Sequence, residues 1–269
     1  LGEFGRDPGT SKRSVRLMIT IKSHDEIAKI REAGKIVEEV FAVLEEKAKP
    51  GISTLELDHL VLSIAKKHKA SCPTIGYGEP PFPAASCISI DTQLVHGIPS
   101  AHVHLEEGQI VTFDIVIEKD GWMADAARTF PIGQISEEKE RLVRATEQSF
   151  WEGFKMAEVG NRVGDIGHAV QTYAEAQGYS VIREFTGHGI GRDMHESPDV
   201  PNFGRPKRGP RLQEGMVFCI EPMIAMGSRH VEIQRDGWTV TMQDKMPSAH
   251  YENTIAITKD GPKLMTLTI

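Results

Sequence analysis

The chain has 269 residues, 39% hydrophobic and 26% charged, with a formal net charge of -7. This is enough chain for one large core in an ordinary globular protein, and its negative balance argues against DNA or wholesale RNA binding, which needs basic charge to meet phosphates. No apolar run approaches the roughly 20 residues of a membrane helix, the N-terminus lacks the apolar core of a secretory signal, and Cys72, Cys87 and Cys219 include no close pair, so a cytoplasmic, reducing location without membrane attachment is expected.

Leu1 to Leu17 carry little apolar pattern and read as a leader, either artificial or a short native extension. Residues 18–269 are expected to form a single domain. The first helix should start at Ser23, a good N-cap with Asp25 and Glu26 behind it, bury Ile27, Ile30, Val37, Phe41 and Leu44, and stop at Pro50-Gly51. Ser53-Thr54-Leu55-Glu56 is a capping-box pattern opening a second helix that buries Leu57, Leu60, Val61 and Ile64.

Next comes Val111-Thr112-Phe113-Asp114-Ile115-Val116-Ile117, an apolar strand-like run around a carboxylate. The pair Asp120-Gly121 then signals a two-residue hairpin loop. Across such a loop, positions whose numbers sum to an odd value lie on one face. Asp114 and Asp125 satisfy that condition, so the two carboxylates can hold one cluster.

A second helix pair is expected from about Ser136 to Glu158 and from about Arg162 to Gln177, closed by Gly178. The inter-helix turns are offset by 109 residues (51 to 160), and the carboxylates six residues past each Glu-Gly turn, Asp114 and Glu221, by 107. Nearly equal offsets predict a duplicated half. Two helix-pair-plus-antiparallel-sheet halves give an α+β domain, with helices backing a sheet whose other side carries the site.

Glu221 and Glu252 also sit in apolar runs, Met216 to Ile224 and Tyr251 to Ile257. Burying such charges is costly without positive compensation. With His188, framed by Gly187, Gly189 and Gly191 so that the backbone can turn sharply, the five side chains suit a two-metal hydrolase. Imidazole and carboxylate ligands select two divalent ions of intermediate hardness, such as Co, Mn, Fe or Zn.

Several stretches are similar to a known family: His96-Gly97-Ile98-Pro99, Asp125-Ala126-Ala127-Arg128-Thr129-Phe130, Gly187-His188-Gly189-Ile190-Gly191, His195-Glu196-Ser197-Pro198, Ile220-Glu221-Pro222-Met223 and Tyr251-Glu252-Asn253-Thr254. From about Met18 onward the sequence resembles the type I methionine aminopeptidases. The resemblance implies the pita-bread fold, two pseudo-symmetric halves of helices on antiparallel sheet, and removal of the initiator methionine from peptides and nascent chains. It implies Asp114 as a terminal ligand of one metal, His188 and Glu221 as ligands of the other, and Asp125 and Glu252 as bridges. Glu221 would also be the general base, His195 would stabilise the oxyanion, and His96 would contact the scissile amide nitrogen. Tyr77, Phe82, Cys87, His96, Met194 and Trp238 would form the methionine side-chain pocket, with His195 also touching substrate.

A monomer is expected, with ribosome contact through the basic loop Lys207, Arg208 and Arg211 left open. Val116, Cys219 and Met194 depart from the family's usual residues and are expected to stay clear of the ligands. Two alternatives remain: a proline-directed aminopeptidase or prolidase-like hydrolase, which shares the ligand order, and a non-catalytic pita-bread binding protein.

Overall fold

A computed structural model describes residues 18–268; the expected leader lies outside the described residues. The N-terminal half contains α1 (His24–Lys47), α2 (Thr54–Lys67), β1 (Cys87–Ile90), β2 (Gln93–Val95), β3 (Ile110–Lys119) and β4 (Trp122–Pro131). The C-terminal half contains α3 (Glu137–Lys155), α4 (Val163–Ala176), β5 (Ser180–Val181), β6 (Gly187–Gly189), β7 (Glu196–Val200), β8 (Val217–Ile220) and β9 (Met223–Ala225). It continues through β10 (Val231–Ile233), β11 (Val240–Met242), β12 (Ser248–His250), β13 (Asn253–Thr258) and β14 (Gly261–Leu264).

The helix starts follow the capping chemistry. Ser23 and Glu26 exchange hydrogen bonds of 2.8 and 3.3 Å, and Ser53 and Glu56 do the same at 2.9 and 3.2 Å. Each box satisfies donors that a helix start leaves unpaired and contributes about 1 kcal/mol. The third helix stops at Lys155 rather than Glu158, because Met156 and Ala157 donate to Gly153 and Phe154, tightening its last turn.

Internal duplication is visible atom by atom. Gly51 and Gly160 hold φ of 94° and 95°, and Gly108 and Gly215 both hold 87°, a left-handed conformation that favours glycine. Gly51 N–H donates to Leu105 and Gly160 N–H to Leu212, at 2.8 and 3.1 Å, while Leu105 and Leu212 return bonds to Ile52 and Asn161. Two large apolar cores centre on the two halves, the first also taking in Ile190, Val217 and Ala256 of the C-terminal half. One gathers Ile30, Val37, Leu57, Phe113 and Ile115; the other gathers Phe150, Ile166, Phe218, Ile220 and Ile255.

The backing is not one sheet per half. The strands form sheets ordered β1-β3-β4, β10-β11-β2, β12-β9-β5 and β14-β13-β8-β6-β7. One break falls at Glu221-Pro222, between β8 and β9, where proline has no N–H for a ladder. The halves meet where β4 passes β13. There Asp125 N–H donates to Thr254 Oγ1 at 2.9 Å, the Thr254 hydroxyl donates to the Asp125 carbonyl at 2.8 Å, and Glu252 N–H donates to the Ala127 carbonyl at 2.9 Å. Arg128 reinforces the junction by donating to the Ala127 and Glu252 carbonyls and to Asn253 Oδ1, with its guanidinium 4.3 Å from the Tyr251 ring centre.

Candidate metal centre

Asp114 and Asp125 leave the same face of the β3–β4 ribbon. Asp120 and Gly121 have φ of 52° and 76°, the two positive angles of a type I′ turn. The register pairs Asp114 with Ala127, two residues along from Asp125. The carboxylates are therefore diagonal neighbours, and they hydrogen-bond each other.

His188 sits in β6, and its glycines have a different role from the one expected. Gly187 and Gly189 are not at positive φ. A Cβ at Gly187 would stand 2.3 Å from the Cys219 carbonyl oxygen, and one at Gly189 2.3 Å from that of Ser197. Close strand approach, not a sharp turn, requires them. His188 Nδ1 donates to the Gly189 carbonyl at 3.0 Å, which leaves Nε2 facing Asp125 Oδ2 at 3.8 Å and Glu221 Oε1 at 3.6 Å. A backbone partner on one ring nitrogen is what orients a ligating imidazole.

Glu221 follows β8, its carbonyl held by the Asn202 amide at 2.8 Å. Glu252 precedes β13 and is 2% exposed. The ligand atoms of Asp125, His188, Cys219 and Glu252 lie within 4.8 Å of one another, as do those of Asp114, His250 and Glu252, while Glu221 adjoins the first set through His188 at 3.6 Å. Asp125 Oδ1 and Glu252 Oε1 are buried without a hydrogen-bond partner among the described residues. Orphaned carboxylate oxygens are expensive to bury, so this donor set fits divalent cations.

The electrostatics express the same crowding. Burial, reinforced by neighbouring carboxylates, holds Asp125, Glu221 and Glu252 well above the usual carboxylate range. Burial raises Asp114, which is half-buried, to about 6. The imidazoles move the other way: burial lowers His96 and His188 to about 4, and lowers His195, though that residue is partly exposed to solvent, to about 3. All three histidines are neutral donors or ligands at neutral pH.

His195 and Tyr77 hydrogen-bond at 2.6 Å between Nδ1 and the hydroxyl, and the His195 ring centre lies 4.3 Å from that of His188. His96 has φ 58° and stands edge-on to Trp238 at 5.9 Å and to Phe185 at 5.7 Å. The side chains expected to line the pocket fall into two groups. Phe82, Cys87 and Trp238 cluster with Ile98, and Trp238 packs on Phe82 at 5.3 Å while its indole N–H donates to the Pro80 carbonyl at 2.8 Å. Tyr77 lies instead on His195, and Met194 is buried on the loop carrying His195.

That loop is pinned from outside. Lys22, 3% exposed, pairs with Glu196 and donates to the Thr20 carbonyl, and Glu196 Oε1 accepts from Arg192 N–H at 2.8 Å. Lys22 N–H also donates to the Gly215 carbonyl at 2.7 Å, just ahead of the strand leading to Glu221. Lys22, Phe185, Ile98 and His250 escaped sequence reasoning. His250 lies two residues before Glu252, a spacing that places two side chains on one face of an extended chain, and that was the signal available.

Cys219 requires a correction. Its sulfur lies with the ligand atoms of Asp125, His188 and Glu252, and 3.5 Å from Thr254 Oγ1. The alternation that turns Glu221 inward turns Cys219 inward too. Burial pushes its thiol well above the ordinary range, so it stays protonated. Val116 is buried, paired with Asp125 across the ribbon, while His102 and His104 are exposed.

Comparison with known proteins places this geometry. The sequence pattern of metallopeptidase family M24 matches residues 28–259. A methionine aminopeptidase of Clostridium acetobutylicum is 50% identical over 250 residues, 93% of this chain and 99% of its own length. Solved structures of methionine aminopeptidase from Rickettsia prowazekii and Thermotoga maritima superpose with TM-scores of 0.90 and 0.91 at 39% and 37% identity, each match covering 93% of this chain and 100% of the other. A Pyrococcus furiosus prolidase, 22% identical with a TM-score of 0.74, shares the fold alone, and 66% of it is covered. The chain adopts the α+β pita-bread fold and belongs to metallopeptidase family M24, among the methionine aminopeptidases.

Proposed function

We propose that this chain is a metal-dependent methionyl aminopeptidase, which removes the initiator methionine from nascent proteins and peptides. The observation that carries the reading is the convergence of four buried or half-buried carboxylates and His188 on adjacent ligand points sharing Glu252. Residues 18–269 act as one catalytic unit. Asp114, Asp125, His188, Glu221 and Glu252 hold two divalent ions, drawn from Co, Mn, Fe and Zn by their oxygen and nitrogen donors. When bound, such a pair polarises the scissile carbonyl and makes the attacking water more acidic.

The remaining chemistry belongs to the chain. Glu221 accepts the proton of the attacking water. The Tyr77 hydroxyl hydrogen-bonds His195 Nδ1; with the hydroxyl as donor, the neutral imidazole carries its proton on Nε2, where it meets the negative charge developing on the carbonyl oxygen. His96 contacts the scissile amide nitrogen. Phe82, Cys87 and Trp238 offer apolar, polarisable surface to an unbranched thioether. Three buried free thiols suit a reducing cytoplasm. Substrates are peptide and nascent-chain N-termini.

Metal analysis paired with a peptide-hydrolysis assay tests the reading. Chelation should abolish methionine release and Mn(II) or Co(II) should restore it; full turnover in a metal-free, chelator-treated sample would contradict it. Lys22→Met probes the loop that carries His195. Breaking one partner of a buried ion pair leaves the other uncompensated, and slight misplacement of a catalytic group costs up to about 10²-fold. Steady-state kinetics should show kcat/KM falling about 10- to 100-fold at unchanged metal content, with partial recovery in Lys22→Arg. An unchanged kcat/KM would remove Lys22 from the site's support.

A further inference from the structure

Outside the five expected ligands, one buried side chain has no use in the account so far. His250 ends β12, is 1% exposed, and neither ring nitrogen has a hydrogen-bond partner among the described residues. Its Nε2 lies 3.8 Å from Glu221 Oε2 and 3.7 Å from Glu252 Oε2. Both separations exceed the reach of an N–H···O bond, about 3.2 Å. They fall inside the roughly 4.2 Å that two ligands can span when each stands about 2.1 Å from one ion. His188 shows the same spacing from its own neighbours, 3.8 and 3.6 Å.

The two imidazoles also divide the site. Asp125, His188, Cys219 and Glu252 offer one set of ligand atoms; Asp114, His250 and Glu252 offer another, and Glu252 belongs to both. The backbone of His250 is clamped as that of Asp125 is. The Thr129 hydroxyl accepts from His250 N–H at 3.1 Å and donates to its carbonyl at 2.9 Å, as the Thr254 hydroxyl does for Asp125 at 2.9 and 2.8 Å. The ring is thus fixed at the carboxylates by a rigid strand end.

We propose that His250 is a nitrogen ligand of the metal centre, serving the ion between Asp114 and Glu252 as His188 serves the ion on the opposite side. The proposal rests on the dinuclear reading above. An imidazole in both positions selects borderline transition ions at each and disfavours Mg and Ca, which seldom take nitrogen.

The test uses the metal-free full chain titrated with Co(II), read by calorimetry and by paramagnetic NMR. Each coordinated imidazole contributes one strongly shifted, exchangeable N–H resonance. The wild type should bind two ions and show two such resonances, a count that needs no variant. His250→Gln, which keeps an N–H donor of similar reach, should retain the first ion, lose one resonance, and bind the second ion at least about 100-fold more weakly, the upper range for loss of an outer-shell partner. Two ions with a single shifted resonance in the wild type, or second-site binding within threefold of wild type in His250→Gln, would overturn the proposal and leave the dinuclear reading standing. Failure of the wild type to take up Co(II) would overturn both.

Discussion

Asp125→Ala should lower kcat by more than about 10⁴-fold, beyond the range of a single proton-transfer group, and should lower metal content with it. Asp125 hydrogen-bonds Asp114, faces His188 at 3.8 Å, and shares one ligand point with Glu252. Its loss leaves three partners without the group that ties them together, and both cation positions suffer. His96→Ala should cost only about 10²-fold, the low end for a group that assists proton transfer. His96 stands against Trp238 and Phe185 and is not one of the side chains whose ligand atoms gather at the centre. Steady-state kinetics with metal analysis of both variants decides the ordering. Equal residual rates at full occupancy would contradict it.

Removing the ions should also make stability depend on pH in an unusual direction. A carboxyl whose folded pKa is raised contributes an opposing term that grows as pH climbs from its unfolded value through its folded one. For Asp114 that window runs from the ordinary carboxylate range to about 6; for Asp125, Glu221 and Glu252 it extends higher, because burial raises them well above normal. The histidines act oppositely. His96, His188, His195 and His250, lowered by burial to about 4, 4, 3 and 3, destabilise the fold as pH falls below about 6.5.

Between about pH 7 and 8, above the ordinary histidine range and below the ordinary thiol range, the raised carboxylates dominate the difference between the two states. The metal-free protein should therefore lose stability as pH rises across that window, and the loaded protein should not. Each unit is worth about 1.4 kcal/mol, which for a chain of this size moves Tm by roughly 3–5 °C. Thermal melts at the two pH values, with chelator and with Mn(II), measure it. Parallel curves for the two forms would show that these carboxylates are already ionised without metal.

Much of this was legible because short-range rules act on few residues. The register of Asp114 and Asp125 follows from a two-residue turn and the period of a strand, both set within twelve consecutive residues. The capping boxes at Ser23 and Ser53 are equally local. The 107- and 109-residue offsets signalled the duplication because each half repeats its turn and its glycine.

What stayed hidden depends on contacts between segments far apart in the sequence. Nothing near Gly187 reveals that Cys219 approaches its backbone, so from the sequence its glycine reads as a turn device. Lys22 meets Glu196 across 174 residues of chain. The interruption of the sheets at Pro222 was readable in principle, since proline cannot continue a ladder, but its effect on sheet count depends on which strands find new partners. His250 and Cys219 share a lesson: each precedes a carboxylate by two residues, and alternation turns both inward with it.

Release of the first residue from a set of short peptides, followed by mass spectrometry with Mn(II) or Co(II) present, tests the central claim most directly. Peptides beginning with Met followed by a small residue should be cut fastest. Norleucine should be accepted at a reduced rate, because one pocket contact of this kind is worth only about 1–3 kcal/mol, while Lys or Glu at the first position should be refused by the apolar surface of Phe82 and Trp238. Efficient release of charged residues or of residues preceding proline, with poor release of Met, would contradict the account and move the activity to the proline-directed relatives.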